Sequence, residues 1–236
     1  MNNPGASTAP PSTAPLSRAA RLLALLALLC LAGCDLAGAV VTETTGDATV
    51  KAKYTPDKNA SMLVLVESYG LAVDSDIESQ HMARTLGRAL TDQKVATIVD
   101  QQALEKLRDA DPAGYNKLTI ADIGRKVGAR QVLYVDIQRD EIEKPPGSGQ
   151  MRGQIEAVIK IVDSASGDTR WPKNESSEAV RYTSDWVPES DTSTDTDLRA
   201  QMADRMAQDI SKLFHDYKVD NLEQDQNSPG NAVNFN

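Results

Sequence analysis

The chain has two thiols, Cys30 and Cys34, four positions apart and both near its start. A thiol can close a disulfide, ligate zinc as a thiolate or be converted to a thioether. With no cysteine further on, disulfides cannot staple the body of the chain, and no Cys-based zinc site can form in it. Acylation of one thiol needs nothing more than that one cysteine. The two histidines, His81 and His215, are not in an HxxxH or similar metal spacing, and His215 suits the C-terminal end of a helix dipole. The sequence has no phosphate loop ending in Gly-Lys-Ser/Thr, no G-x-S-x-G elbow and no strand-linked GxGxxG. Asp74-Ser75-Asp76 and the group Asp191, Asp195, Asp197 carry oxygen ligands of the type Ca²⁺ takes, without EF-hand spacing. A solvated acidic loop is the alternative for both groups. Arg125, Lys126 and Arg130 are either a small basic face or cations at a helix end. Trp171 and Trp186 flank an irregular stretch and are either packing residues or partner anchors. We therefore expect no catalytic residue, no bound metal and no cofactor.

The elements that would position Cys34 lie in front of it. Residues 1–16 carry no charged side chain, Arg18 and Arg21 follow, and Leu22–Ala32 is uncharged and almost wholly apolar. A basic flank, a short apolar run and small residues at its exit make a secretory signal peptide. The run is too short to span a bilayer, which takes about 20 apolar residues. Leu31-Ala32-Gly33-Cys34 resembles the lipobox of bacterial lipoproteins. That resemblance implies that Cys34 receives a diacylglyceryl group and becomes the first residue, while Cys30 leaves with the peptide. Asp35 resembles the inner-membrane retention signal of enterobacterial lipoproteins, a rule that varies between bacteria. Inner versus outer membrane stays open.

Over the 236 residues there are 34 acidic and 25 basic side chains, a net charge of −9. An acidic chain lacks the concentrated Lys and Arg that nucleic acid or anionic lipid would need. Aromatics are 4%, so the core must be aliphatic. The expected organisation is a signal peptide over 1–33, a flexible tether over 34–59 and a folded body over 60–217. A disordered tail over 218–236 completes it. One short strand is allowed in the tether at Thr49–Lys53.

Within the body, Met62–Val66 is a continuous apolar run, as in a strand buried on both faces. Ser75 and Glu78 fit a capping box ahead of Ile77, Met82, Leu86, Ala89 and Leu90 at helical spacing. Val95–Val99 is a second strand, and Asp100 caps a helix carrying Leu104 and Leu107. Asp111–Gly114 is a turn. Thr119 caps a third helix, stapled by Leu118 and Ile123 and closed by Gly128. Gln131–Ile137 and Ile155–Val162 are strands, and Lys144–Gly149 breaks the chain between them. Ser164–Asp168 turns into a return strand from Thr169, with Gly167 at positive φ. Ala179–Thr183 is a strand or a loop. Leu198, Met202, Met206, Ile210, Leu213 and Tyr217 mark a long C-terminal helix packed on the sheet. The class is α/β: a single open mixed sheet flanked by helices, in the order β-α-β-α-α-β-β-β-α.

Several of these stretches, in this order, resemble a group of envelope domains. The group comprises the amino-terminal domain of TolB, the lipoprotein activators of penicillin-binding proteins and the curli secretion lipoproteins. The resemblance rests on Met62–Val66 before Leu86–Leu90, and on Val95–Asp100 leading into Gln101–Leu104. It also rests on Ile123–Arg130 followed by Gln131–Val135, and on the Asp163–Gly167 hairpin. It implies a non-enzymatic protein that activates a cell-wall synthase or supports assembly of an envelope machine, facing the periplasm. Gly70 alone represents the glycines expected after the first strand. No paired alternating stretches of about ten residues suggest membrane-spanning strands. Two alternatives stand beside this expectation. One is a small-ligand or enzymatic domain with a pocket at the strand C-termini, involving Glu67, Ser68, Tyr69, Asp100 and Gln101. The other is a homo-oligomeric collar.

Overall fold

The computed structural model describes residues 48–68, 75–173, 177–190 and 194–219. Strand β1 (Ala48–Val50) comes first. The apolar run then forms β2 (Ser61–Glu67), with Met62 to Val66 all buried. Its side chains divide between two cores. Met62, Val64 and Val66 face one, Leu63 and Leu65 the other. Helix α1 (Ser75–Asp92) buries Met82, Leu86 and Leu90 completely. The side chains of Ser75 and Asp76, and so the capping box expected there, fall outside the described residues.

Strand β3 is shorter than Val95–Val99 and holds only Thr97–Ile98. The reason is local: Lys94 takes a φ of +55°, and the Val95 N–H bonds the Leu90 carbonyl at 2.9 Å to close α1. Asp100 caps α2 (Gln101–Ala110) by accepting from the Gln102 N–H at 3.0 Å. The turn expected at 111–114 is a short helix, α3 (Pro112–Tyr115), capped by Asp111 on the Gly114 N–H at 2.9 Å. Thr119 caps α4 (Ile120–Lys126) in a reciprocal box with Asp122, and Gly128 follows at φ +77°. Glycine adopts that conformation without steric cost.

Strands β4 (Gln131–Glu143) and β5 (Gln150–Asp163) run well past the expected 131–137 and 155–162. The extension is a long antiparallel hairpin with a register shift between Ile137 and Arg139. The extra residue resets which side chains face the helices. Asp140 then lies opposite Ile155, and Ile142 opposite Gly153. Strands β6 (Thr169–Trp171), β7 (Glu178–Thr183) and β8 (Val187–Pro188) all pair antiparallel with β5. Strand β2 is parallel to both β3 and β4. The sheet order is β3-β2-β4-β5-β6, a mixed sheet as expected.

Helix α5 (Asp195–Lys212) buries Leu198, Met202, Met206 and Ile210 beside α1. It stops before the expected Tyr217. Leu213 and Phe214 remain buried, but Tyr217 belongs to β9 (Tyr217–Val219), which pairs antiparallel with β1. Residues expected in the tether therefore pack on the body. The Tyr54 N–H donates to the Leu213 carbonyl at 3.1 Å, and the Tyr54 ring stacks on Trp171 with 5.9 Å between centroids. Lys218 and Val219, expected in the tail, complete β9. Burial of Tyr54 and Pro56, residues that a solvated tether would expose, drives the difference. Among the described residues no helix is long and apolar enough to cross a membrane.

Candidate functional site

The connection from β2 through α1 sets β3 on one side of β2. The connection from β3 through α2–α4 returns across β2 and sets β4 on its other side. Connections that diverge in this way open a crevice at the carboxyl ends of the strands. A cleft of about 210 Å³ lies there between α1 and α2, with Val66, Ala83 and Leu104 among its apolar walls. Its polar lining includes Glu67 and Ser68 from the end of β2, Ser79 and Arg84 from α1, and Gln101, Glu105 and Arg108 from α2.

Local structure explains why these groups meet. Gln101, Leu104, Glu105 and Arg108 follow i, i+3, i+4, i+7 spacing and share one face of α2. The Val99 N–H donates to the Met62 carbonyl at 2.8 Å. The Gln101 amide Nε2 then donates to the Val64 carbonyl at 2.9 Å, where β3 has already ended. Tyr115 in α3 is buried, and its Oη donates to Glu67 Oε1 at 3.3 Å. Arg108 Nη2 donates to that same Oη at 3.3 Å, and its guanidinium sits 5.0 Å from the ring centroid. Burial raises the Tyr115 phenol above its ordinary pKa, against the opposing pull of Arg108. Arg84 Nη1 and Glu105 Oε1 stand 3.8 Å apart across the opening. Ser79 is 6% exposed, and its hydroxyl has no hydrogen-bond partner among the described residues.

Of the residues singled out in the sequence, Glu67, Ser68 and Gln101 come together here. Asp100 instead caps α2 and borders a second, shallower groove along β3. Tyr69 and Gly70 lie outside the described residues, as do Leu31, Ala32, Gly33, Cys34 and Asp35. Ser79, Arg84, Glu105, Arg108 and Tyr115 were not singled out. Their one sequence signal is the polar pair Glu105 and Arg108 on the same helical face as Leu104.

The remaining candidates are engaged elsewhere. His81 Nε2 meets Asp204 Oδ1 at 2.8 Å, and Thr85 donates to the same oxygen, so His81 ties α1 to α5. His215 Nδ1 contacts the Asp216 carbonyl at 3.0 Å, in β9's approach and not in a helix. Arg125 is held by Asp122 and donates to the Ser164 carbonyl at 2.6 Å. Asp197 serves the Thr194 cap, and Asp195 pairs with Lys144 at 2.6 Å. Asp74 and Asp191 lie outside the described residues. Among the described residues no three His, Cys, Asp or Glu side chains are grouped to hold a metal. The two tryptophans part company. Trp171 is in the core against Phe214, whereas Trp186 is 39% exposed under the Arg152 guanidinium, 4.5 Å away.

No protein-family model matches the chain, and no curated protein matches it. Among solved structures it is similar to the lipoprotein GNA1162 from Neisseria meningitidis. That likeness has 15% identity and a TM-score of 0.41, and it covers 65% of this chain and 99% of that one. It is also similar to a variant PelC dodecamer from Paraburkholderia phytofirmans, with 12% identity, 70% and 96% coverage and a TM-score of 0.40. With TolB from Acinetobacter baumannii the values are 13%, 70% and 30%, and 0.26. These similarities include a bacterial lipoprotein. They assign no residue a role, and they do not place the chain in the TolB-like group.

Proposed function

We propose that this is a lipid-anchored, non-enzymatic protein of the bacterial envelope, whose α/β domain binds or regulates a protein partner on the periplasmic side. The observation that carries the reading is the start of the chain: Arg18, Arg21, the apolar run and Leu31-Ala32-Gly33-Cys34. Acyl chains on Cys34 add about 0.8 kcal/mol per buried methylene, and two or more hold a protein firmly without a helix. A cell-wall synthase or an envelope assembly machine is the class of partner that the sequence resemblance implies.

The fold supports a defined presentation. The body begins by Ala48, 14 residues after Cys34. Strand β1 joins the body beside β9, which follows the C-terminal end of α5. The N-terminal end of α5 is held to the β4–β5 hairpin by Lys144–Asp195 and Arg199–Asp140. An 18-residue helix, about 27 Å long, separates the two ends. Beside this hairpin, exposed Trp186 stacks on Arg152. Trp and Arg are the residue types that most often anchor protein interfaces.

Two measurements test this. Labelled palmitate should enter the wild-type chain and not Cys34→Ala; equal labelling defeats the anchor. A photo-crosslinking residue at position 186 in intact cells should give a discrete protein adduct that the same residue at position 51 does not. Adducts from position 51 alone, or from neither, defeat the partner-facing assignment.

A further inference from the structure

We propose that residues 48–55 form a releasable strap, which opens while the rest of the body stays folded and so lengthens the link between Cys34 and the body. Its use rests on the anchored reading of Cys34; its opening does not.

The fastenings of the strap are few and solvated. Strand β1 pairs with β9 over three residues, in a sheet separate from the main one. A lone two-stranded pair is at best marginally stable in water. Asp216, next to β9, accepts from Lys51 Nζ at 2.8 Å and from the Ala52 N–H at 3.0 Å. The Lys51 and Asp216 side chains are 79% and 48% exposed, so water competes for that pair. Lys53 reaches Glu178 at 2.6 Å, again from a largely exposed side chain. The firmest attachment is Tyr54, whose N–H donates to the Leu213 carbonyl and whose ring lies on Trp171. Strand β2 is held quite differently. Five consecutive residues, Met62 to Val66, are buried, and the strand lies between β3 and β4.

The strap also has defined limits. After it, Pro56 is buried, and the Asp57 carbonyl accepts from the Ala60 N–H and from Gln131 Nε2, both at 3.1 Å. Gln131 and Ala60 are fully buried, so this turn is fixed to the start of β2 and β4. On the other side, β9 has contacts that do not involve β1. The Tyr217 ring lies 6.4 Å from the His215 ring and 5.6 Å from Lys212 Nζ. Phe214 stays against Trp171 at 5.6 Å between centroids. Opening therefore uncovers one face of Trp171 and breaks no pairing in the main sheet. Segments with few buried contacts open locally, at a free energy well below that of global unfolding. Closed, the chain is fixed from Ala48, 14 residues after Cys34; open, it is fixed from Pro56, 22 residues after it. The eight released residues add up to about 28 Å of reach, at roughly 3.5 Å per extended residue. A pull on the N-terminal side of the chain meets β1 before β2, and so favours the open form.

The test is hydrogen exchange of the full chain in detergent, read at single amides. The Tyr54 amide should exchange about a hundredfold or more faster than the amides of Leu63 to Leu65 at the centre of β2. Equal protection overturns the strap, because residue 54 would then open only with the whole body. Tyr54→Ala should speed exchange at position 54 about tenfold, the loss of one aromatic contact, and leave the β2 amides within about twofold. Equal acceleration of both sets also overturns it. The first comparison runs on unmodified protein, so the answer does not hinge on the variant. Fast exchange at Tyr54 beside failed palmitate labelling would reject the anchored reading and leave the strap. Slow exchange beside normal labelling would do the reverse.

Discussion

The two halves of the sheet are built on different principles. In the β3–β2 half, helices cover both faces: α1 on one, α2 to α4 on the other. In the β5–β7 half, α5 covers one face and the other carries cross-strand charge pairs, such as Arg181–Glu156 at 2.8 Å and Arg152–Glu143 at 2.7 Å. The contrast shows in the sequences. Strand β2 is an unbroken apolar run, whereas β5 alternates buried and part-exposed residues from Met151 to Ile161. A strand with two dry faces has no place for a polar side chain, and one with a single dry face places one at every second position.

That difference can be broken by substitution. Leu65→Ala, in the doubly covered half, should cost about 2–5 kcal/mol, while Val158→Ala on the open face of β5 should cost far less. Chemical denaturation of both measures it, and equal losses would show the two faces to be alike. Gly153→Val tests how closely α5 sits on β5. A Cβ there would meet Met202 Sδ at 2.1 Å, so overpacking of about 1–3 kcal/mol is expected in the same assay. An unchanged midpoint would show that α5 moves aside freely. The open face itself should be tolerant. Glu156→Gln removes a part-exposed ion pair with Arg181 and should cost less than about 1 kcal/mol.

The smallest effect is confined to acid. The Ser166 N–H and then Arg170 hold the Asp163 carboxyl down at about 2, from an ordinary 3.8. A depressed native pKa means that the stabilisation is complete above 3.8 and disappears as the pH falls through about 2. Melting temperatures of wild type and Asp163→Asn should therefore converge across that window. A constant gap would show that the carboxylate's charge contributes nothing at the turn.

Much of the fold was legible because its signals are local. Asp100 and Thr119 cap helices as their positions suggest, and Gly128 and Gly167 take positive φ. The polar half of β4, Gln138–Glu143, was not legible. Only Ile142 among those six residues is apolar, and their strand conformation comes from the ladder to β5 and the Arg199–Asp140 pair. Tyr217 continues the helical spacing of Leu198 to Leu213, yet pairing with Val50 draws it into β9. The cleft was half legible. A pocket beyond Glu67 follows from strand order, but Ser79 and Arg84 enter it from α1 and Tyr115 from α3.

By itself the sequence determined the α/β class and the caps of α2 and α4. These depend on side chains within a few residues of one another, where spacing alone decides the geometry. The tertiary structure alone decided that Trp171 is core and Trp186 surface, that residues 48–59 join the body, and that four opposite charges share one cleft. Those outcomes depend on contacts between distant segments, which form only when the summed burial of the sheet and helices outweighs the entropy of bringing them together.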